Sequence, residues 1–159
     1  MKRTRTLPSN LRLFGLVLCG LLLSACSSPD GPAESFYENG QLWSRSTIGD
    51  GDGVFELFYE NGQLRTRENW KNWQKDGLYE NFYENGQLQR RGNYKPDPAP
   101  YPDNTGGMQD GLWEIFHENG QLEARANFID GEQDGLWEEF DEDGNLTKTK
   151  TYRNGEVIE

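Results

Sequence analysis

Few residues of this 159-residue chain are of types that carry covalent or acid–base chemistry. There is one histidine, His117, and its place in the sequence pattern is held elsewhere by Tyr59 and Tyr83. It reads as a variant of a repeated position rather than as a lone base. Glu56, Glu80, Glu114 and Glu138 recur at one position of the same pattern. Paired catalytic carboxylates must converge in a cleft. Acids that return at a fixed period serve the period, here by bonding a neighbouring turn. No serine sits in a strained nucleophile setting. Asp141-Glu142-Asp143-Gly144-Asn145 could open an oxygen-ligand loop, but the closing glutamate of a calcium loop is missing. The expectation is a protein without catalytic residues, metal or cofactor.

The two cysteines point to an address instead. Cys19 lies in an apolar run, Leu13–Leu23, behind a basic start of Lys2, Arg3, Arg5 and Arg12. That run is too short to span a membrane stably. It ends in Leu23-Ser24-Ala25-Cys26, which resembles the bacterial lipoprotein signal. The resemblance implies cleavage before Cys26, acylation of its thiol and amine, and a cell-envelope location. Ser27 in the next position resembles export to the outer membrane, facing the periplasm. Residues 1–25 are then a leader, 26–33 a short linker and 34–159 the folded domain. No cysteine remains for a disulfide or a zinc site.

The leader takes four basic residues and no acidic ones, so the net charge moves from −11 to −15. Such a chain lacks the basic face that nucleic acid requires. A protein partner of basic character fits the balance better.

The domain is a repeat array. Glu-Asn-Gly-Gln-Leu occurs at Glu38–Leu42, Glu60–Leu64, Glu84–Leu88 and Glu118–Leu122, and Glu142–Leu146 keeps its turn chemistry. The units recur every 22 to 24 residues, apart from one step of 34 that contains a proline-rich loop at 95–107. Alternate prolines cannot join a sheet ladder. Each unit reads as a β-hairpin with its tip at Asn-Gly. A two-residue turn would pair Tyr83 with Leu88. A three-residue turn with a left-handed Gly86 would pair Phe82 with Leu88, and periodicity favours it. It places Leu78, Phe82, Leu88 and Tyr94 on one face as core. The equivalent sets are Val54, Phe58, Leu64, Trp70; Leu112, Phe116, Leu122, Phe128; and Leu136, Phe140, Leu146, Tyr152.

That register predicts Glu80 opposite Arg90 and Glu138 opposite Lys148. On the second face it predicts aromatic–arginine pairs: Phe55 with Arg67, Tyr79 with Arg91, Trp113 with Arg125, and Trp137 facing Thr149. Those seven aromatic and arginine residues, Trp137 included, form the candidate binding face. Exposed aromatics beside arginine suit an interface centre, while packing on a neighbouring hairpin would make them core.

The pattern Asp-Gly-Leu-Trp-Glu-x-Phe-x-Glu-Asn-Gly-Gln-Leu, with a later arginine and aromatic, runs through Asp110–Phe128. It recurs with changes at Asp76–Tyr94 and Asp134–Tyr152. It resembles the variant MORN repeat, many bacterial members of which belong to a YwqK-like antitoxin group. The resemblance covers about residues 34–159. It implies an all-β fold, an elongated antiparallel sheet of tandem hairpins, with atypical units at both ends. For function it implies a non-enzymatic, envelope-anchored protein-binding module, antitoxin-like or an immunity protein. The alternatives are an envelope scaffold, or a glycan or lipid binder using Trp113 and Trp137.

Overall fold

The computed structural model describes residues 31–98 and 106–159. The leader, Cys26 and the tip of the proline-rich loop lie outside the described residues. Eleven strands follow one another as a meander in a single antiparallel sheet. They are β1 (Ala33–Phe36), β2 (Leu42–Ser46), β3 (Gly53–Phe58), β4 (Leu64–Lys71), β5 (Gln74–Phe82) and β6 (Leu88–Lys95). After the loop come β7 (Met108–Phe116), β8 (Leu122–Ile129), β9 (Glu132–Phe140), β10 (Leu146–Arg153) and β11 (Glu156–Val157). Among the described residues no helix or second sheet covers either face.

The Asn-Gly tips form as the three-residue turn. Tyr83 donates its N–H to Gln87 O (2.8 Å), and Gly86 donates to Tyr83 O (2.9 Å). Gly86 lies at φ +85°, a conformation a Cβ opposes. Phe82 pairs with Leu88 as expected. The other ends of the hairpins turn through two residues with positive φ, such as Asn72-Trp73 and Asp130-Gly131, the geometry that matches strand twist.

Beyond the tip the register departs from expectation. Asn81 pairs with Arg90, Glu80 with Arg91 and Tyr79 with Gly92. Gln89 is an extra, bulged residue, as are Trp43, Arg65, Glu123 and Thr147 in the sister hairpins. One inserted residue turns the rest of the return strand over, so the expected core sets are divided. Phe82 and Leu88 stay on one face with Leu78, while Tyr94 goes to the other; Trp70, Phe128 and Tyr152 move likewise. Leu78, Leu112 and Leu136, expected inside, are 39%, 50% and 51% exposed. Among the described residues the buried apolar ones are Tyr79, Trp113, Ala124 and Ala126. All lie on the face of Tyr79 and Trp113, to which the bulge brings the two alanines from the face expected to be core.

Candidate binding surface

Three devices stitch neighbouring hairpins along the tip edge. The Tyr37, Tyr59 and Tyr83 hydroxyls donate to Phe58 O, Phe82 O and Phe116 O at 2.7–2.8 Å. His117 makes the same link from Nε2 to Phe140 O (3.0 Å). Asn39, Asn61, Asn85 and Asn119 donate from Nδ2 to the glutamate carbonyl of the next tip. Each also accepts at Oδ1 from the glutamine N–H two residues on. The Gln41, Gln63, Gln87 and Gln121 side chains then lie over the glycine of the next tip. The invariant tip sequence is therefore the joint between units, and His117 belongs to it. The fifth tip differs: Asp141 accepts from the Asn145 backbone and side chain and from Asp143 N–H. Those bonds, led by the one from Asn145 N–H, hold its carboxyl below the ordinary value.

One face carries an alternating charge row. Glu34, Arg45, Glu56, Arg67, Glu80, Arg91, Glu114, Arg125 and Glu138 stand side by side on β1 to β9, and Thr149 follows on β10. Arg45 reaches Glu34 (3.0 Å) and Glu56 (3.6 Å). Arg67 reaches Glu56 (3.1 Å) and Glu80 (3.3 Å). Arg91 bonds Glu114 at 2.6 Å, and Arg125 bonds Glu138. The recurrent glutamates thus bind arginines, not neighbouring turns as expected. Arg45, Arg91 and Arg125 also lie over Phe58, Phe116 and Phe140. The expected pairs Glu80–Arg90 and Glu138–Lys148 are absent: Glu138 faces Thr149, and Lys148 faces Glu139. Beside the charge row, toward the two-residue turns, Leu78, Leu112 and Leu136 stand half-exposed, and Ile129 is exposed at the end of β8.

The opposite face holds an aromatic cluster. Tyr79, Tyr94, Trp113 and Phe128 meet at centroid distances of 5.1–6.3 Å. Arg90 lies over Tyr79 (5.1 Å) and Trp113 (5.6 Å), and Lys75 lies between Trp70, Tyr79 and Tyr94. Burial raises the Tyr94 phenol above its ordinary value, against the lowering pull of Lys75 and Arg90. Trp113 is 3% exposed. It lies flat on Gly92, where an added Cβ would stand 2.1 Å from the ring.

The candidate binding face is therefore split. Phe55, Tyr79, Trp113 and Trp137 lie on the aromatic face, and Arg67, Arg91 and Arg125 lie on the charged one. The aromatics face Glu68, Gly92, Ala126 and Lys150 instead of Arg67, Arg91, Arg125 and Thr149. Of the two readings held open for the aromatics, internal packing describes Tyr79 and Trp113. Sequence reasoning missed the exposed leucines, because it assigned them to the core. It also underused Trp73, which is 58% exposed at φ +65° in a turn where sister units have Gly51, Gly131 and Gly155. A bulky residue in that conformation is an outlier.

The MORN repeat variant family matches five segments, residues 29–48, 51–72, 75–95, 109–130 and 133–154. The chain belongs to that family. Each of the five matched segments holds one hairpin and its tip, so the matched units carry the residues that make the four joints between them. No curated protein matches the chain. Among solved structures, the chain is similar to TarM (10% identity, TM-score 0.40, 67% of this chain covered). It is likewise similar to a mutant of S. aureus TarM in complex with fondaparinux, α-GlcNAc-glycerol and UDP (9% identity, TM-score 0.41, 68% covered). It spans about a fifth of the length of those chains.

Proposed function

We propose that this MORN-variant protein is a non-enzymatic binding module, held at the cell envelope by a lipid on Cys26, that masks a protein partner in the manner of an antitoxin or immunity protein. The observation that carries the reading is the row of half-exposed Leu78, Leu112 and Leu136 beside an internally neutralised charge row. The leucines stand on alternate strands, with Asn93 and Asn127 between them, and exposed apolar side chains set among polar ones in this way suit a protein interface. Exposed Trp73 stands at the two-residue-turn end of the same sheet. Acidic charge lies on the turns, with Glu38, Glu60, Glu84, Glu118 and Glu142 exposed along the tip edge. Such a rim steers a basic partner toward the sheet more than it holds one. The glycan reading loses support because the Trp113 ring is already used inside the fold.

The test has two arms. Fatty-acid labelling should mark the wild type and not Cys26→Ser. Affinity capture from envelope extracts should retain a defined protein on the wild type and lose it on the Leu112→Ser, Leu136→Ser double variant, whose exposed positions leave the fold intact. Capture of the same proteins by both forms rejects the leucine row as the binding surface. Should neither form capture anything reproducible, the envelope-scaffold alternative takes its place.

A further inference from the structure

We propose that the β1 edge and the first tip, Tyr37–Leu42, form an open acceptor end that takes a β-hairpin from a different polypeptide carrying the donor set of this repeat. This goes beyond the face-binding reading above and stands or falls separately from it.

The joint between hairpins has a direction. A donor tip supplies a tyrosine hydroxyl or imidazole, an asparagine amide and a glutamine side chain. An acceptor tip supplies a phenylalanine carbonyl, a glutamate carbonyl and an uncovered glycine. The four donor tips belong to units one to four, and the four acceptor tips to units two to five. Among the described residues, unit one thus has an acceptor set that no tip uses. Among the described residues none donates to Phe36 O or Glu38 O in this manner. Gly40 has nothing within 4 Å of its would-be Cβ, whereas Gly62, Gly86, Gly120 and Gly144 each meet a glutamine from the preceding tip at 2.6–3.4 Å.

A second copy of this chain is the wrong occupant. Its unused tip, in unit five, has Asp141 where the others have tyrosine or histidine, Asp143 in place of asparagine and Asn145 in place of glutamine. Asp141 and Asp143 present carboxylates, which accept and do not donate, and they would face carbonyl oxygens. The Asn145 amide is bound to Asp141. One end of the array is built to stop and the other to receive. The interface it would form is continuous in kind with four joints already present, strand pairing plus tip bonds, as in β-augmentation. The partner is defined by its chemistry: a hairpin tip with tyrosine or histidine, then asparagine and glutamine at the spacing of Tyr37, Asn39 and Gln41.

A donor-restored copy of the protein itself serves as the probe. It carries Asp141→Tyr, Asp143→Asn and Asn145→Gln, with Gly40→Asn to occupy its own acceptor seat. Asparagine tolerates the left-handed conformation of that site. Mixed with wild type and followed by sedimentation velocity, the probe should form a one-to-one complex, at least about tenfold tighter than any wild-type self-association, as a few new hydrogen bonds would allow. The complex should vanish when the receiving copy carries Gly40→Asn alone. Circular dichroism of both copies verifies that each is folded. Association of wild type with itself at the strength of the probe, absence of a complex, or a complex indifferent to Gly40→Asn each overturns the proposal.

Discussion

Two single positions show how steric detail decides which face is core. Gly92 has no positive φ to explain it; its reason is the Trp113 ring lying on its Cα. Gly92→Ala should lower stability by about 1–3 kcal/mol, the range for overpacking. Denaturant melts would measure the loss, and near-ultraviolet dichroism should change because the Tyr79–Tyr94–Trp113 cluster must shift. An unchanged melt would mean that the ring does not rest there. Trp73 makes the opposite case. Placing a large side chain in the left-handed region costs about 1–2 kcal/mol, and three sister turns use glycine. Trp73→Gly should therefore raise stability by about 1 kcal/mol in the same melts, while weakening partner capture if the strained residue is retained for contact. Lower stability would show that the exposed ring contributes more packing than its position costs.

At the scale of the hairpin, much was legible in the sequence. Asn-Gly tips, strand alternation and the three-residue turn follow from glycine's φ preference and from the Phe82–Leu88 pair. The bulge one step further was not legible. Its residue is Trp43, Arg65, Gln89, Glu123 or Thr147, with no shared chemistry, because a bulged side chain answers to no cross-strand partner. That one residue exchanges the faces of Arg90 and Arg91, and with them every aromatic–arginine pair that had been expected. The charge row is the consequence, and it can be tested. Arg91→Glu would place three acids side by side on β5, β6 and β7. Each such neighbour pair acts on the scale of roughly 0.2–1 kcal/mol, so a loss of about 1 kcal/mol is expected, shrinking at high salt. Arg90→Glu would instead disturb the aromatic cluster and change little with salt. Equal salt dependence in the two variants would favour the unbulged register.

For the whole molecule, a row of stitched hairpins behaves as a nearly one-dimensional array, with burial concentrated around Tyr79, Trp113, Ala124 and Ala126. Such an object presents two long faces and two ends. The central claim is that the charged, leucine-bearing face meets a protein in the cell. A photo-crosslinking amino acid placed at Leu112 on that face, and separately at Ile115 on the aromatic face of the same strand, tests it most directly. Both positions are exposed, at 50% and 37%, so both variants should fold. Irradiation of living cells should give a defined protein adduct from position 112 and little or none from 115. No adduct from position 112, or equal adducts from both faces, would contradict the claim.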